Sequence, residues 1–331
     1  MTFRTIKSVM PVALVAVAVA TAGCDRSTSS NHPVKDSAAG VVAATSDSGP
    51  KLPANHLGRI PVLEYHVIGG DKNAQYTRTV ASFKADLEDV YKRGYRPITI
   101  AQMLDKNFED VPAGMSPVVF VFDDASPEQF SYIEGADGKL TIDPTSAVGI
   151  WVDFAKTHPG WKNRGTFCLL NGASNGHNFF GDSPKYHGQK KAWRFEKVKW
   201  LADQGFELCS HTVWHAMLNK FSDAVVQEQI ARNVMAIDSA VPNYKVRTMA
   251  LPYGIWPKNH ELAWQGSWTD PKTKQTHTYK MDAVLEVAGG PTRSPFDPEF
   301  NAHSVKRIEA IGNDIAKTLD GLDKSKTRFV K

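Results

Sequence analysis

An α/β fold is predicted for residues 59–331: a parallel sheet with helices over its faces, either open or closed as a barrel. Three observations predict it. Eight apolar runs alternate with helical periods. The runs are apolar at nearly every position, as strands buried on both faces are. The 273 residues carry neither an internal repeat nor a second linker, and α/β barrels commonly use such a length as one domain.

The first run, Ile60–Tyr65, leads to an amphipathic period in which Phe83, Leu87, Val90 and Tyr91 recur at i, i+4, i+7 and i+8, with Gly94 as its C-cap. Arg96–Ile100 and Pro117–Phe122 are the next strands, the latter reading PVVFVF. Gly165–Leu170 follows. Phe195, Val198, Trp200 and Leu201 mark a helix that ends before Gly205, and Phe206–Cys209 is a strand directly behind it. Ser222 starts a longer helix through Val225, Ile230, Val234 and Ile237, ended near Pro242. Val246–Leu251, Ala283–Val287 and Val305–Ile311 complete the strands. In such a fold, chemistry gathers at the C-terminal ends of the strands.

Composition excludes several classes. With 42% apolar and 22% charged residues the chain buries a core, so it is not disordered throughout, and 24 Gly and 19 Pro are too few for a collagen-like polymer. Formal net charge is +4, or +2 without Arg4 and Lys7, and no basic run is interleaved with aromatics. A nucleic-acid partner is therefore not expected.

Arg4 and Lys7 precede an apolar stretch, Val9–Ala20, and then Thr21-Ala22-Gly23-Cys24. A basic region, a short apolar region and a small-residue cleavage zone read as a signal peptide over residues 1–23. A Cys directly after Ala-Gly resembles the bacterial lipobox, with Thr21 standing where Leu is usual. We expect Cys24 to be lipidated; plain secretion is the alternative. Residues 25–58 hold no aromatic and are rich in Ser, Ala, Gly and Pro, so 24–58 read as an anchored, flexible tether and 59–331 as the catalytic domain. The expected location is outside the cytoplasm, lipid-anchored to the membrane and facing periplasm or exterior. Asp25 resembles an inner-membrane retention signal. Cys168 and Cys209 remain. Export permits a disulfide, but both sit in apolar core strands, and free buried thiols are the expectation.

Chemistry-bearing residues fall at the strand ends. Asp123 and Asp124 follow PVVFVF at once. Two adjacent carboxylates leaving a buried strand repel each other and lose hydration, so they call for a cation or a proton. Taken alone, Asp-Ala-Ser-Pro-Glu also suits a helix N-cap. After Phe206–Cys209 comes SHTVWH, in which His211 and His215 stand four apart and can aim two imidazoles at one metal. With an aspartate from another strand they make a two-histidine, one-carboxylate set, which suits a catalytic zinc with an open position but also iron(II). The second, unligated aspartate favours hydrolysis, because it can serve as base toward water. Leu251-Pro252-Tyr253-Gly254 ends a strand with a sharp turn that can present a backbone N–H. His66 ends the first strand.

FDDAS (Phe122–Ser126), SHTVWH (Ser210–His215) and LPYG (Leu251–Gly254), in this order, resemble the motifs of the polysaccharide deacetylase (NodB homology) family, carbohydrate esterase family 4. PVLEYHVI from Pro61, GTFCLL from Gly165 and GFELCSHT from Gly205 resemble its core strands. The leading YH and the late RIE (Arg307–Glu309) are most similar to the exported poly-β-1,6-N-acetylglucosamine de-N-acetylases. The resemblance covers most of residues 59–311. It implies a distorted (β/α) barrel, a divalent metal (zinc first, cobalt or nickel as alternatives) and removal of acetyl groups from a polysaccharide by a monomeric enzyme. It also implies roles: Asp123 as general base, Asp124, His211 and His215 as metal ligands, the Tyr253 N–H as oxyanion donor and His66 as catalytic acid.

Three departures stand out. Ala125 replaces the usual Gly after the two acids. Ala250 stands where an Arg often supports the base. Residues 131–160, with Asp143-Pro144-Thr145-Ser146, look longer than the minimal family core. The rival functions are an O-acetyl esterase on the same site and a non-catalytic glycan-binding lipoprotein. An unrelated metallopeptidase lacks support, since no H-E-x-x-H occurs.

Overall fold

Along Val62–Tyr65 (β1) the side chains alternate between two environments, and the same alternation runs through the other core strands of the computed structural model. Val62, Val119, Cys168, Cys209, Ala250 and Leu285 belong to one apolar cluster, and Leu63, Phe120, Phe167, Leu208, Met249 and Val284 to another. The first set fills the inside of a closed sheet; the second packs against surrounding helices. Residues 49–172, 178–181 and 188–331 are described. The signal segment 1–23, Cys24 and most of the expected tether lie outside the described residues.

The strands are β1, Tyr95–Pro97 (β2), Ser116–Asp123 (β3), Tyr132–Glu134 (β4), Leu140–Ile142 (β5), Thr166–Leu169 (β6), Glu207–Ser210 (β7), Thr248–Ala250 (β8), Gln265–Thr269 (β9), Thr276–Lys280 (β10), Ala283–Gly289 (β11) and Val305–Glu309 (β12). Neighbours run β1-β12-β11-β8-β7-β6-β3, and β1 pairs with β3 to close a seven-stranded barrel, with β2 added on β3. Every pairing in this sheet is parallel. The distorted (β/α) barrel is thus the fold. Its strands follow one another around the barrel in chain order, so every crossover is to the adjacent strand, the simplest winding that parallel connections allow.

The longer helices are Val80–Lys92 (α1), Ala147–Thr157 (α2), Arg194–Asp203 (α3), Asp223–Ala240 (α4) and Asp314–Ser325 (α5). Thr79 and Ser222 cap α1 and α4, each side-chain oxygen accepting from the backbone N–H three residues on. Gly94 takes the left-handed φ of 79° expected of a residue that ends α1. No helix among the described residues is long and apolar enough to cross a membrane.

One expectation changes, and one unassigned stretch acquires a structure. The stretch 131–160 resolves into a β4–β5 hairpin and α2. Ser146 is the N-cap of α2, and Trp151 lies edge-on to Phe120 at 5.1 Å. The stretch thus holds a hairpin and the helix that covers the barrel between β3 and β6. Cys168 and Cys209, expected as free thiols, form a disulfide. They are register partners on adjacent parallel strands and both face the barrel interior, so the thiols meet without displacing backbone.

The last ten residues assigned to the tether, 49–58, make regular contacts. Leu52 N–H donates to Gly114 O, and Asn55 and Val330 exchange backbone hydrogen bonds. A Cβ on Gly58 would lie 2.3 Å from Arg328 O. Phe329 reaches the interior cluster from this side and closes the N-terminal end of the barrel. Chemistry is left to the other end.

Candidate metal and acid–base site

β3 ends on Asp123, which is buried, and the chain then turns through Asp124 and Ala125 with φ of 78° and 52°. Left-handed backbone explains why glycine is usual at the second of these positions. Alanine there costs about 1–2 kcal/mol of local strain. The turn swings Asp124 toward β7, whose end delivers His211. His211 Nδ1 donates to Ala250 O at 2.9 Å, which fixes the tautomer and leaves Nε2 with its lone pair facing Asp124. Asp124 Oδ1 lies 3.4 Å from His211 Nε2 and 3.6 Å from His215 Nε2.

Asp124, His211 and His215 together place one ligand atom each within 4.8 Å of one another. Among the described residues, His211 Nε2 and Asp124 Oδ1 are buried without a hydrogen-bond partner. Two convergent imidazole nitrogens and a carboxylate oxygen fit a divalent cation with open positions. Burial pushes the Asp124 carboxyl up, but His211, His66 and His215 outweigh it and hold the group far below the usual carboxylate range. Burial lowers His211, while Asp123 and Asp124 raise it further, for a net rise. His215 falls to about 4 through burial and the neighbouring His211.

Beside this trio runs a buried chain of charges. Arg307, pointing inward from β12, places Nη1 2.9 Å from Asp123 Oδ2 and Nε 3.1 Å from Glu64 Oε2. Glu64 Oε1 lies 3.5 Å from His66 Nε2. Among the described residues Asp123 Oδ1 has no hydrogen-bond partner, whereas Oδ2 is held by Arg307. Burial raises Asp123, but Arg307, His211 and His66 bring it below its ordinary value. Burial drives Glu64 well above its ordinary value, with Arg307 opposing. His66 is lowered, chiefly by burial, against the pull of Asp123 and Asp124. Glu64, His66 and Asp123 also converge within 4.8 Å, but the Arg307 guanidinium contacts both carboxylates there and disfavours a second cation.

Tyr253 adopts φ 57°, ψ 12°, and its N–H donates to no acceptor among the described residues. Its exposed ring stands 4.2 Å from that of His215. All six residues singled out from the sequence (His66, Asp123, Asp124, His211, His215 and Tyr253) therefore lie at the C-terminal ends of β1, β3, β7 and β8. Cys24 is outside the described residues.

Sequence reasoning missed the partners. It left Asp123 unsupported because Ala250 occupies the usual arginine position; the structure supplies Arg307 from a different strand. Glu64 was passed over inside an apolar run. So was Gln129, whose amide donates to both His66 O and Asp123 O and ties the ends of β1 and β3 together. A signal existed: a charge in the middle of a strand buried on both faces is costly without a partner.

Comparison with known proteins agrees. Residues 162–265 match the polysaccharide deacetylase family. A chitooligosaccharide deacetylase of Bradyrhizobium sp. (strain ANU 289) is 33% identical over 64 residues, which are 19% of this chain and 29% of that protein. The chain thus matches under a third of the length of this curated relative. Among solved structures, the Streptococcus pyogenes deacetylase PplD in complex with acetate is similar with a TM-score of 0.54 at 16% identity, covering 80% of this chain and 98% of that one. A Bacillus cereus polysaccharide deacetylase gives 0.54 at 15%, covering 80% and 69%. IcaB from Ammonifex degensii gives 0.51 at 16%, covering 80% and 96%. At such identities these likenesses establish the fold.

Proposed function

We propose that this chain, which carries a polysaccharide deacetylase domain, is a metal-dependent hydrolase that removes N-acetyl groups from a cell-surface or cell-wall polysaccharide and releases acetate. One observation carries the reading: an Asp123 carboxylate oxygen without a hydrogen-bond partner among the described residues stands beside the convergent Asp124–His211–His215 trio, whose Asp124 Oδ1 and His211 Nε2 are likewise unpartnered. Held by those three side chains, a divalent cation, zinc before cobalt or nickel, would polarise the acetyl carbonyl and make water more acidic.

The chain's own groups do the rest. Asp123 Oδ1 takes a proton from the attacking water while Arg307 holds Oδ2 and keeps the carboxylate ionised and oriented. The Tyr253 N–H donates to the oxygen of the tetrahedral centre as charge develops; such a donor is typically worth about 2.7–4 kcal/mol. His66, with Glu64 beside Nε2, gives a proton to the departing amine nitrogen. Water and amide become acetate and amine. An amide nitrogen leaves poorly unprotonated, and the presence of an acid close to the base supports N- over O-deacetylation.

Export and lipid attachment at Cys24 remain part of the proposal. A buried disulfide agrees with an oxidising compartment. The test is acetate release from chitin oligomers, poly-β-1,6-linked glucosamine, peptidoglycan and acetylxylan, with and without a chelator. Chelator-sensitive release from an N-acetylated polymer is expected, and Asp123→Asn should lower kcat by at least about 100-fold while metal content stays unchanged. Release from acetylxylan alone would make the protein an O-acetyl esterase. Release from none would leave a glycan-binding protein.

A further inference from the structure

The long helix α4 buries Val226, Ile230, Ala231, Ile237 and Ala240 against the barrel, and the same face carries two amides, Gln229 and Asn233, with no exposed surface. An amide on an apolar helix face costs stability unless its hydrogen bonds are met. Both point to the segment that bears the two histidines. Asn233 Nδ2 donates to Thr212 O at 2.7 Å and to Leu169 O at 3.0 Å, and Asn233 Oδ1 accepts from Ser210 Oγ at 2.9 Å. Gln229 Oε1 accepts from the Trp214 N–H at 3.2 Å.

The backbone held in this way is strained. Thr212 has φ 69° and His215 φ 62°, a region that a β-branched residue avoids at a cost of about 1–3 kcal/mol. The kink is what turns a strand end back on itself and brings the two imidazole centroids to 4.8 Å. Thr212 Oγ1 closes the turn by accepting from the His215 N–H. It does so from inside the segment, whereas Asn233 fastens the segment to the rest of the protein. A single amide joins the end of β6 (Leu169), the end of β7 (Ser210) and Thr212, the first of the segment's two backbone bends. Asparagine is suited to this because two carbonyls and one hydroxyl need two donors and one acceptor.

We propose that Asn233, aided by Gln229 one turn earlier, is the positioning residue for the two-histidine half of the metal site. Divalent-metal affinity is then set by α4 as well as by the ligands. The inference rests on the reading of Asp124, His211 and His215 as a cation site.

The measurement is the Zn²⁺ dissociation constant of purified, full-length protein, by titration against a competing chelator, alongside the unfolding midpoint of the metal-free protein. Asn233→Asp keeps shape and acceptor but turns an oxygen toward two carbonyls; it should weaken Zn²⁺ binding by about 10–100-fold. Gln229→Met, a milder change, should weaken it by about 2–10-fold, the range one hydrogen bond spans, and serves if the first variant does not fold. Tyr244→Phe is the control. It removes the acceptor of the Leu208 N–H on the same strand, and should lower the midpoint without altering Zn²⁺ affinity. Folded Asn233 and Gln229 variants with wild-type affinity, or a Tyr244 variant weakened as much as they are, would overturn the positioning role. Wild-type protein that takes up no Zn²⁺ would instead remove the metal reading itself, and this inference with it.

Discussion

Arg307 is fully buried, between two carboxylates that belong to different strands. Removing one member of such a group leaves uncompensated charge in the interior, which costs about 3–5 kcal/mol. Arg307→Leu should therefore destabilise the protein by that amount in urea unfolding, and should also slow turnover, since Asp123 loses the cation that keeps it ionised. A variant of wild-type stability would mean that Glu64 and Asp123 do not depend on this guanidinium. Lys197 is another charged side chain without exposed surface. Its amine donates to Gln189 Oε1 at 2.6 Å and to Phe180 O, and burial lowers its pKa to about 7 from 10.5. The folded amine loses its proton near pH 7, whereas the unfolded one keeps it to about 10.5, so the unfolded chain binds more protons in between and stability rises with pH across that window. Relative to Lys197→Met, the wild type should gain stability from pH 7 toward pH 10, by a few kcal/mol at most. Parallel stability curves for the two proteins would sink this.

At the scale of elements, the strands were legible because being buried on both faces writes itself as an unbroken apolar run. Pro117–Phe122 and Phe206–Cys209 fall within one or two residues of β3 and β7. Register was not legible, since nothing local states which residue of one strand lies beside which residue of its neighbour. This is why Cys168 and Cys209 read as separate thiols and prove to be a bonded pair. The bond joins the strand that ends beside Asn233 to the strand that ends in His211. With a sequence separation of 41, it should contribute about 4 kcal/mol through the unfolded chain on an entropic account. The Cys168→Ala, Cys209→Ala double variant should lose stability of that order in urea. Thiol titration of denatured, unreduced protein should find neither residue free. The elements within 131–160 were not legible for a related reason: only packing separates a hairpin and a helix in series.

For the molecule as a whole, the active end exists only because the barrel closes. Asp123 and Arg307 are 184 residues apart in the chain and meet from the two strands that flank β1. A cation that binds the folded trio and not the unfolded chain must stabilise the whole barrel by mass action. At 100 times its dissociation constant, Zn²⁺ should add about 2.7 kcal/mol and raise the unfolding midpoint, and a chelator should reverse the rise. An unchanged midpoint under saturating Zn²⁺ would argue against the site.

Local pattern was enough for the α/β class, the barrel strands, the helices α1, α3 and α4, and the residues at the strand ends, because hydrophobic period and motif spacing are properties of neighbouring residues. Folding alone paired Arg307 with Asp123 and Glu64, bonded the two cysteines and brought Asn233 under the histidine segment. Those contacts depend on register and closure, and a buried charge or amide acquires its role from partners that lie far along the chain.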